Sequence, residues 1–169
     1  MRKIIIAILA CLTILATTGC KEKYVSPLEK PDMTKAAENT AYNLDFDQLN
    51  NDVLDTLQEK EIYGFVKEMD VSGDNGSMVI NYSVNIEDNV SNDAIELLIT
   101  DAAKAIVDAA NTQDLRIENY TEDSFGNLSD IYSLNFTVMC GEETVKEYNI
   151  EKGDSIPFDP TLTIENVIG

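Results

Sequence analysis

An α+β fold is predicted for this chain by three observations. Two stretches repeat apolar residues every three or four positions, and several others alternate apolar with polar residues. Their order is helix, two strands, helix, then three strands. That order predicts an antiparallel sheet of about five strands with one or two helices packed on one face.

From Leu44 to Lys60, the apolar residues Phe46, Leu49, Val53 and Leu57 mark one helical face. Asp45 and Asp47 open the stretch and Lys60 closes it, the arrangement a helix dipole favours. Ile62–Val71 and Ser77–Glu87 are predicted as strands joined across Ser72 to Gly76, where Asn75-Gly76 is a hairpin signal because both residues tolerate positive φ. In the second strand Met78, Ile80, Tyr82, Val84 and Ile86 share one face. The clearest helix spans Ser91 to Asn111, with Ile95, Leu98, Ala102, Ile106 and Ala109 along one side. Asp93, Glu96, Thr100, Lys104 and Asp108 lie opposite, so this helix is expected to be the central packing element. Leu115–Tyr120 is predicted as a strand, followed by an acidic loop turning at Phe125-Gly126-Asn127. Ile131–Cys140 alternates again, with Tyr132, Leu134, Phe136, Val138 and Cys140 on one face. Thr144–Ile150 follows the turn at Gly141, and Thr161–Val167 is predicted as an edge strand.

Ahead of these elements lies a segment of different character. Arg2 and Lys3 precede Ile4 to Ala16, a run of 13 residues without a formal charge that ends in Leu15-Ala16-Thr17-Thr18-Gly19-Cys20. A bilayer-spanning helix needs about 20 apolar residues, so the run is short for a permanent span. The layout is that of an export signal. The segment resembles the lipobox of bacterial prolipoproteins, with Thr17 standing where that family favours Leu. The resemblance covers about the first twenty of 169 residues. It implies that residues 1–19 are a signal peptide, that Cys20 carries a diacylglyceryl group, and that its amino terminus is open to acylation (palmitate, for example). It also implies a location on the extracytoplasmic side of a bacterial membrane, held by lipid. Residues 20–43, with Pro27, Pro31 and four lysines, are expected to form a flexible tether spanning roughly 25–30 Å. Residues 44–169 are expected to form one acidic domain.

Charge narrows the function further. Residues 20–43 balance four lysines against four acids, whereas residues 44–169 hold six basic and 27 acidic side chains, a formal charge of −21. Such a domain repels nucleic acids and anionic headgroups. The absence of histidine removes Ser-His-Asp and Cys-His catalysis and the common His-containing zinc sites. No Walker loop or dinucleotide fingerprint occurs, and no cofactor is expected. Cys140, alone once Cys11 has left with the signal and Cys20 bears lipid, is expected to be a small buried hydrophobe on its strand's apolar face. Tyr63, Tyr82 and Tyr132 are expected in the core or the sheet. Asp70, Ser72, Asp74 and Asn75 are the best oxygen cluster for a cation, but Asn75 stands where a calcium loop requires Gly and Asn81 where it requires Glu. Ordinary turn chemistry accounts for them, and no metal site is assigned.

A non-enzymatic binding or interaction module is the expected function, its partner an envelope protein or a peptide or sugar ligand. The alternative is an envelope hydrolase using paired Asp/Glu carboxylates. The candidate ligand patch comprises two uncharged outward rows, Asn81, Ser83, Asn85 and Ser133, Asn135, Thr137, which merge if their strands are neighbours.

Overall fold

The computed structural model describes residues 41–168, so the predicted signal peptide, the lipidation site Cys20 and nearly all of the tether lie outside the described residues. The elements are α1 (Phe46–Gln58), a single 3₁₀ turn (Glu61–Tyr63), β1 (Val66–Asp74), β2 (Val79–Ile86), α2 (Asn92–Gln113), α3 (Leu128–Ile131), β3 (Ser133–Cys140), β4 (Glu143–Ile150) and α4 (Ile164–Ile168). The α+β class holds. The sheet, however, has four strands in the order β1-β2-β3-β4, and it is mixed. β1/β2 and β3/β4 are antiparallel hairpins, whereas β2 and β3 run parallel. Connectivity permits this: β2 is joined to β3 through the long helix α2, and parallel neighbours need a crossover of that kind.

Two predicted strands are absent. In Leu115–Tyr120 the backbone is held by side-chain amides rather than a neighbouring strand: Asn111 Nδ2 donates to the Ile117 carbonyl at 2.5 Å, while Asn127 accepts from Glu118 N at 2.8 Å and donates to the Arg116 carbonyl at 3.1 Å. The turn at Gly126 forms as expected, with φ at 68°. In the tail, Thr163 Oγ1 and N both donate to Asn166 Oδ1, at 2.9 and 3.0 Å, and this local cap starts α4 where an edge strand was expected.

The helices form for the reasons legible in their sequences. Asp45 Oδ1 caps α1 by accepting from the amides of Asp47 and Gln48, both at 3.1 Å. Ser91 Oγ accepts from Ala94 N at 3.2 Å at the start of α2. Leu49, Val53 and Leu57 of α1 are fully buried against α2 and β1. Gly73 makes that approach possible: a Cβ there would fall within 2.6 Å of both the Phe46 ring and the Val79 carbonyl. In α2, 13 of 22 residues are buried. They include the predicted apolar side together with Thr100 and Asp101. Of the side predicted to be polar, Asp93 and Asp108 are exposed, Glu96 and Lys104 are partly exposed, and Thr100 is buried.

The hairpin at Asn75-Gly76 forms by a different device from the one its sequence suggests. The positive φ falls on Met78, at 55°, and Asn75 uses its amide instead. Its Oδ1 accepts from Leu44 N at 3.0 Å and from the Tyr132 hydroxyl at 2.8 Å, while Nδ2 donates to the Leu44 carbonyl at 2.9 Å. The hairpin thereby pins the chain just before α1. Asp74 Oδ1 accepts from Gly76 N at 2.6 Å, the local turn expected of this loop, and that bond holds the carboxyl below its usual range.

One face of the sheet carries the core. Ile80, Tyr82, Val84 and Ile86 of β2 and Leu134, Phe136 and Val138 of β3 are buried under α2 and its neighbours. Tyr63, Tyr82 and Tyr132 are buried as expected. The Tyr82 hydroxyl finds no hydrogen-bond partner among the described residues. Removing an unsatisfied buried hydroxyl relieves its desolvation cost, so Tyr82→Phe is expected to stabilise the fold by about 1 kcal/mol. Burial pushes both Tyr82 and Tyr63 well above the ordinary tyrosine value, and for Tyr63 the Asp101 carboxylate adds to the effect. The folded state keeps these protons while the unfolded chain releases them near pH 10, so their stabilising contribution is complete below about pH 10 and lost above it. Each tyrosine should cost about 1.4 kcal/mol per further pH unit, and urea midpoints measured from about pH 9 to about pH 12 should fall less steeply in Tyr82→Phe. An unchanged slope would contradict this account of Tyr82.

Candidate functional site

The opposite face of the sheet is where the predicted patch lies. Asn81 pairs with Asn135 and Ser83 with Thr137 across the parallel β2/β3 ladder, so the two uncharged rows are in register. Ser83 is exposed, and the other five patch residues are partly exposed. α1 packs on the core side, against β1 and α2, so it does not cover this face.

The six residues are not equivalent. Asn135 Nδ2 donates to Asn81 Oδ1 at 2.8 Å, a cross-strand amide pair that leaves Asn81 Nδ2 and Asn135 Oδ1 directed to other uses. Asn85 is spent on the β3–β4 turn: its amide accepts from Gly141 N and donates to the Gly141 carbonyl, both at 3.2 Å. Gly141 takes φ of 64° there. Ser133 Oγ accepts from Lys152 N at 3.2 Å and so braces the exit of β4. Asn85 and Ser133 therefore brace the strand ends, while Asn81, Ser83, Asn135 and Thr137 form the uncharged centre of the face.

Registry extends the platform to the sheet edges, which the sequence alone could not do. One cross-sheet row is Ser72, Asn81, Asn135, Asn149, and the next is Asp70, Ser83, Thr137, Glu147. The second row is acid, neutral, neutral, acid. Glu147 Oε1 accepts from Asn149 Nδ2 at 3.1 Å, which steadies the carboxylate on β4.

On the helical side a cleft lies between α1, α2 and the tail, lined by Lys60, Asp101, Lys104, Asp108, Tyr120 and Leu162 among others. Two carboxylates, Asp101 and Asp108, line it, the kind of pair the hydrolase alternative would use. Asp101 is buried and already engaged: Lys60 Nζ donates to Oδ2 at 2.5 Å, the Tyr63 hydroxyl donates to the same oxygen at 2.6 Å, and Lys104 Nζ stands 3.7 Å from Oδ1. Lys104 also donates to the Leu162 carbonyl at 3.1 Å. Burial pushes the Asp108 carboxyl up. A base or nucleophile needs a free lone pair facing substrate, and here the Asp101 lone pairs tie the 3₁₀ turn to α2. The network pins elements together. Glu96 is likewise engaged, accepting from Lys146 and, at 3.0 Å, from the Tyr148 hydroxyl.

Cys140 corrects an expectation. It lies on the predicted face of β3, but at the strand's end, where it is only partly buried and its Sγ–H donates to Asp88 Oδ1 at 2.9 Å. That carboxylate holds the thiol above its ordinary pKa, so a partly exposed cysteine is kept in its less nucleophilic form. Among the described residues no group of three or more His, Cys, Asp or Glu side chains is placed to hold a metal ion. No described helix is long and apolar enough to cross a membrane. No family model, curated protein or solved structure matches this chain.

Proposed function

We propose that this protein is a lipid-anchored lipoprotein of the bacterial cell envelope, held through Cys20 on the extracytoplasmic side. Its domain binds an envelope protein or a peptide or sugar ligand without catalysing a reaction. The observation that carries the binding role is the in-register uncharged centre, Asn81, Ser83, Asn135 and Thr137, on an open sheet face of a domain otherwise crowded with acids. Interface centres are depleted of charge because ions are costly to desolvate, whereas amides and hydroxyls can exchange water for a ligand's polar groups. The anchor rests on the segment ending in Gly19-Cys20. Metabolic labelling with a fatty-acid analogue should mark the wild type and leave Cys20→Ala unmarked; equal labelling of both removes the anchor. For the face, Asn81→Lys with Asn135→Lys in the anchored protein should abolish capture of an envelope partner while thermal stability is kept. Unchanged capture removes the face.

A further inference from the structure

Resting on that binding role, we infer that the partner's docking segment is a cationic extended peptide that crosses the sheet with two positive charges reaching Asp70 and Glu147. The row Asp70, Ser83, Thr137, Glu147 places one carboxylate on each edge strand and two hydroxyls between them. Neighbouring strands lie about 4.8 Å apart, so the two acids stand roughly 14 Å from each other. In an extended peptide, residues i and i+4 point to the same side about 13 Å apart, with i+2 between them. A chain laid at right angles to the strands thus sets i and i+4 over the carboxylates and i+2 over the Ser83 and Thr137 hydroxyls.

The adjacent row strengthens the assignment. Ser72, Asn81, Asn135 and Asn149 carry no charge, and neither row contains a basic residue. Nothing in these two rows therefore neutralises Asp70 or Glu147 in the free protein, and Glu147 has one hydrogen bond, from the neutral Asn149 amide. Of the six basic residues after position 43, Lys60 and Lys104 pair with Asp101, Arg116 with Asp114 and Lys146 with Glu96, while Lys67 and Lys152 belong to neither row. A second copy of this chain would bring its own acidic edges onto these, and an anionic ligand would meet two carboxylates. A cation meets attraction at both ends and hydrogen-bonding groups between, and the charge of the whole domain steers it inward.

The test uses the full chain in neutral detergent micelles and a short Ser/Asn peptide bearing lysines at positions i and i+4, with a single-lysine peptide for comparison. The dilysine peptide should bind more tightly, and its NMR footprint should centre on Asp70, Ser83, Thr137 and Glu147. Asp70→Asn with Glu147→Gln should weaken it about tenfold. Glu122→Gln with Asp123→Asn, on the loop after α2, should leave it unchanged. Equal weakening by both pairs would reduce the effect to general charge attraction and overturn the inference, as would no binding at all. If Asn81→Lys with Asn135→Lys ends envelope capture while Asp70→Asn with Glu147→Gln does not, the binding face stands and the cationic partner falls.

Discussion

Phe158→Ala is expected to destabilise the domain by about 3–4 kcal/mol. The ring sits between two prolines of the tail, Pro157 and Pro160, and is the point where residues after β4 re-enter the core. Its centroid lies 5.0 Å from that of Tyr148, 5.2 Å from Phe136 and 6.3 Å from Phe125, all edge-on, the geometry aromatic quadrupoles favour. Phe158 thus packs on β3 through Phe136 and on β4 through Tyr148. Truncation therefore opens a cavity against three aromatic rings rather than removing a surface contact. The thermal midpoint should fall by roughly 10 °C, read by circular dichroism. A loss below about 1 kcal/mol would mean the tail contributes little to the core.

Asp101→Ala should cost nearly as much, about 2–4 kcal/mol. The carboxylate is buried, and its removal leaves the Tyr63 hydroxyl only the Leu97 carbonyl at 3.4 Å and takes the ion-pair partner from two lysines. Lys60 is partly exposed and regains water, which places the expected cost at the lower part of the range for broken buried pairs. Asp101→Asn keeps an acceptor for Tyr63 and should cost about half as much. The comparison separates the network from the proposed binding face: both variants should lose stability in urea titrations while any envelope capture through that face is kept. A variant as stable as wild type would show that Asp101 does not hold the 3₁₀ turn to α2.

The helices α1 and α2 and the two hairpins were legible because local signals and tertiary needs agree there. Asp45 and Ser91 cap the helices, and the alternation from Met78 to Ile86 and from Tyr132 to Val138 matches the buried face. The mismatches have particular causes. Leu115–Tyr120 has strand-like composition, but Asn111 and Asn127 satisfy its backbone from outside any sheet, and such long-range amide bonds leave no periodic trace. Thr163 and Asn166 do leave a trace, a cap signal three residues apart, outweighed by the strand-forming residues Thr161 to Val167. The sheet was expected to be antiparallel throughout; the helix between β2 and β3 permits their parallel pairing but does not dictate it. Only the register, however, places Asn81 beside Asn135 and extends the rows to Asp70 and Glu147. Cys140 was assigned to the correct face but not to the open end of its strand, where Asp88 reaches it. The roles of Asn85 and Ser133 as braces also depend on partners far along the chain, Gly141 and Lys152.

The binding face is tested most directly by a photo-activatable crosslinking residue placed at Ser83 in the anchored protein, irradiated in its native envelope. A second protein carries the same residue at Glu122, which is exposed on the loop after α2. A discrete adduct should form from position 83 and not from position 122, and it should disappear when Asn81→Lys and Asn135→Lys are added. The same adducts from both positions, or an adduct at 83 that survives the two lysines, would contradict the assignment of this sheet face as the binding surface.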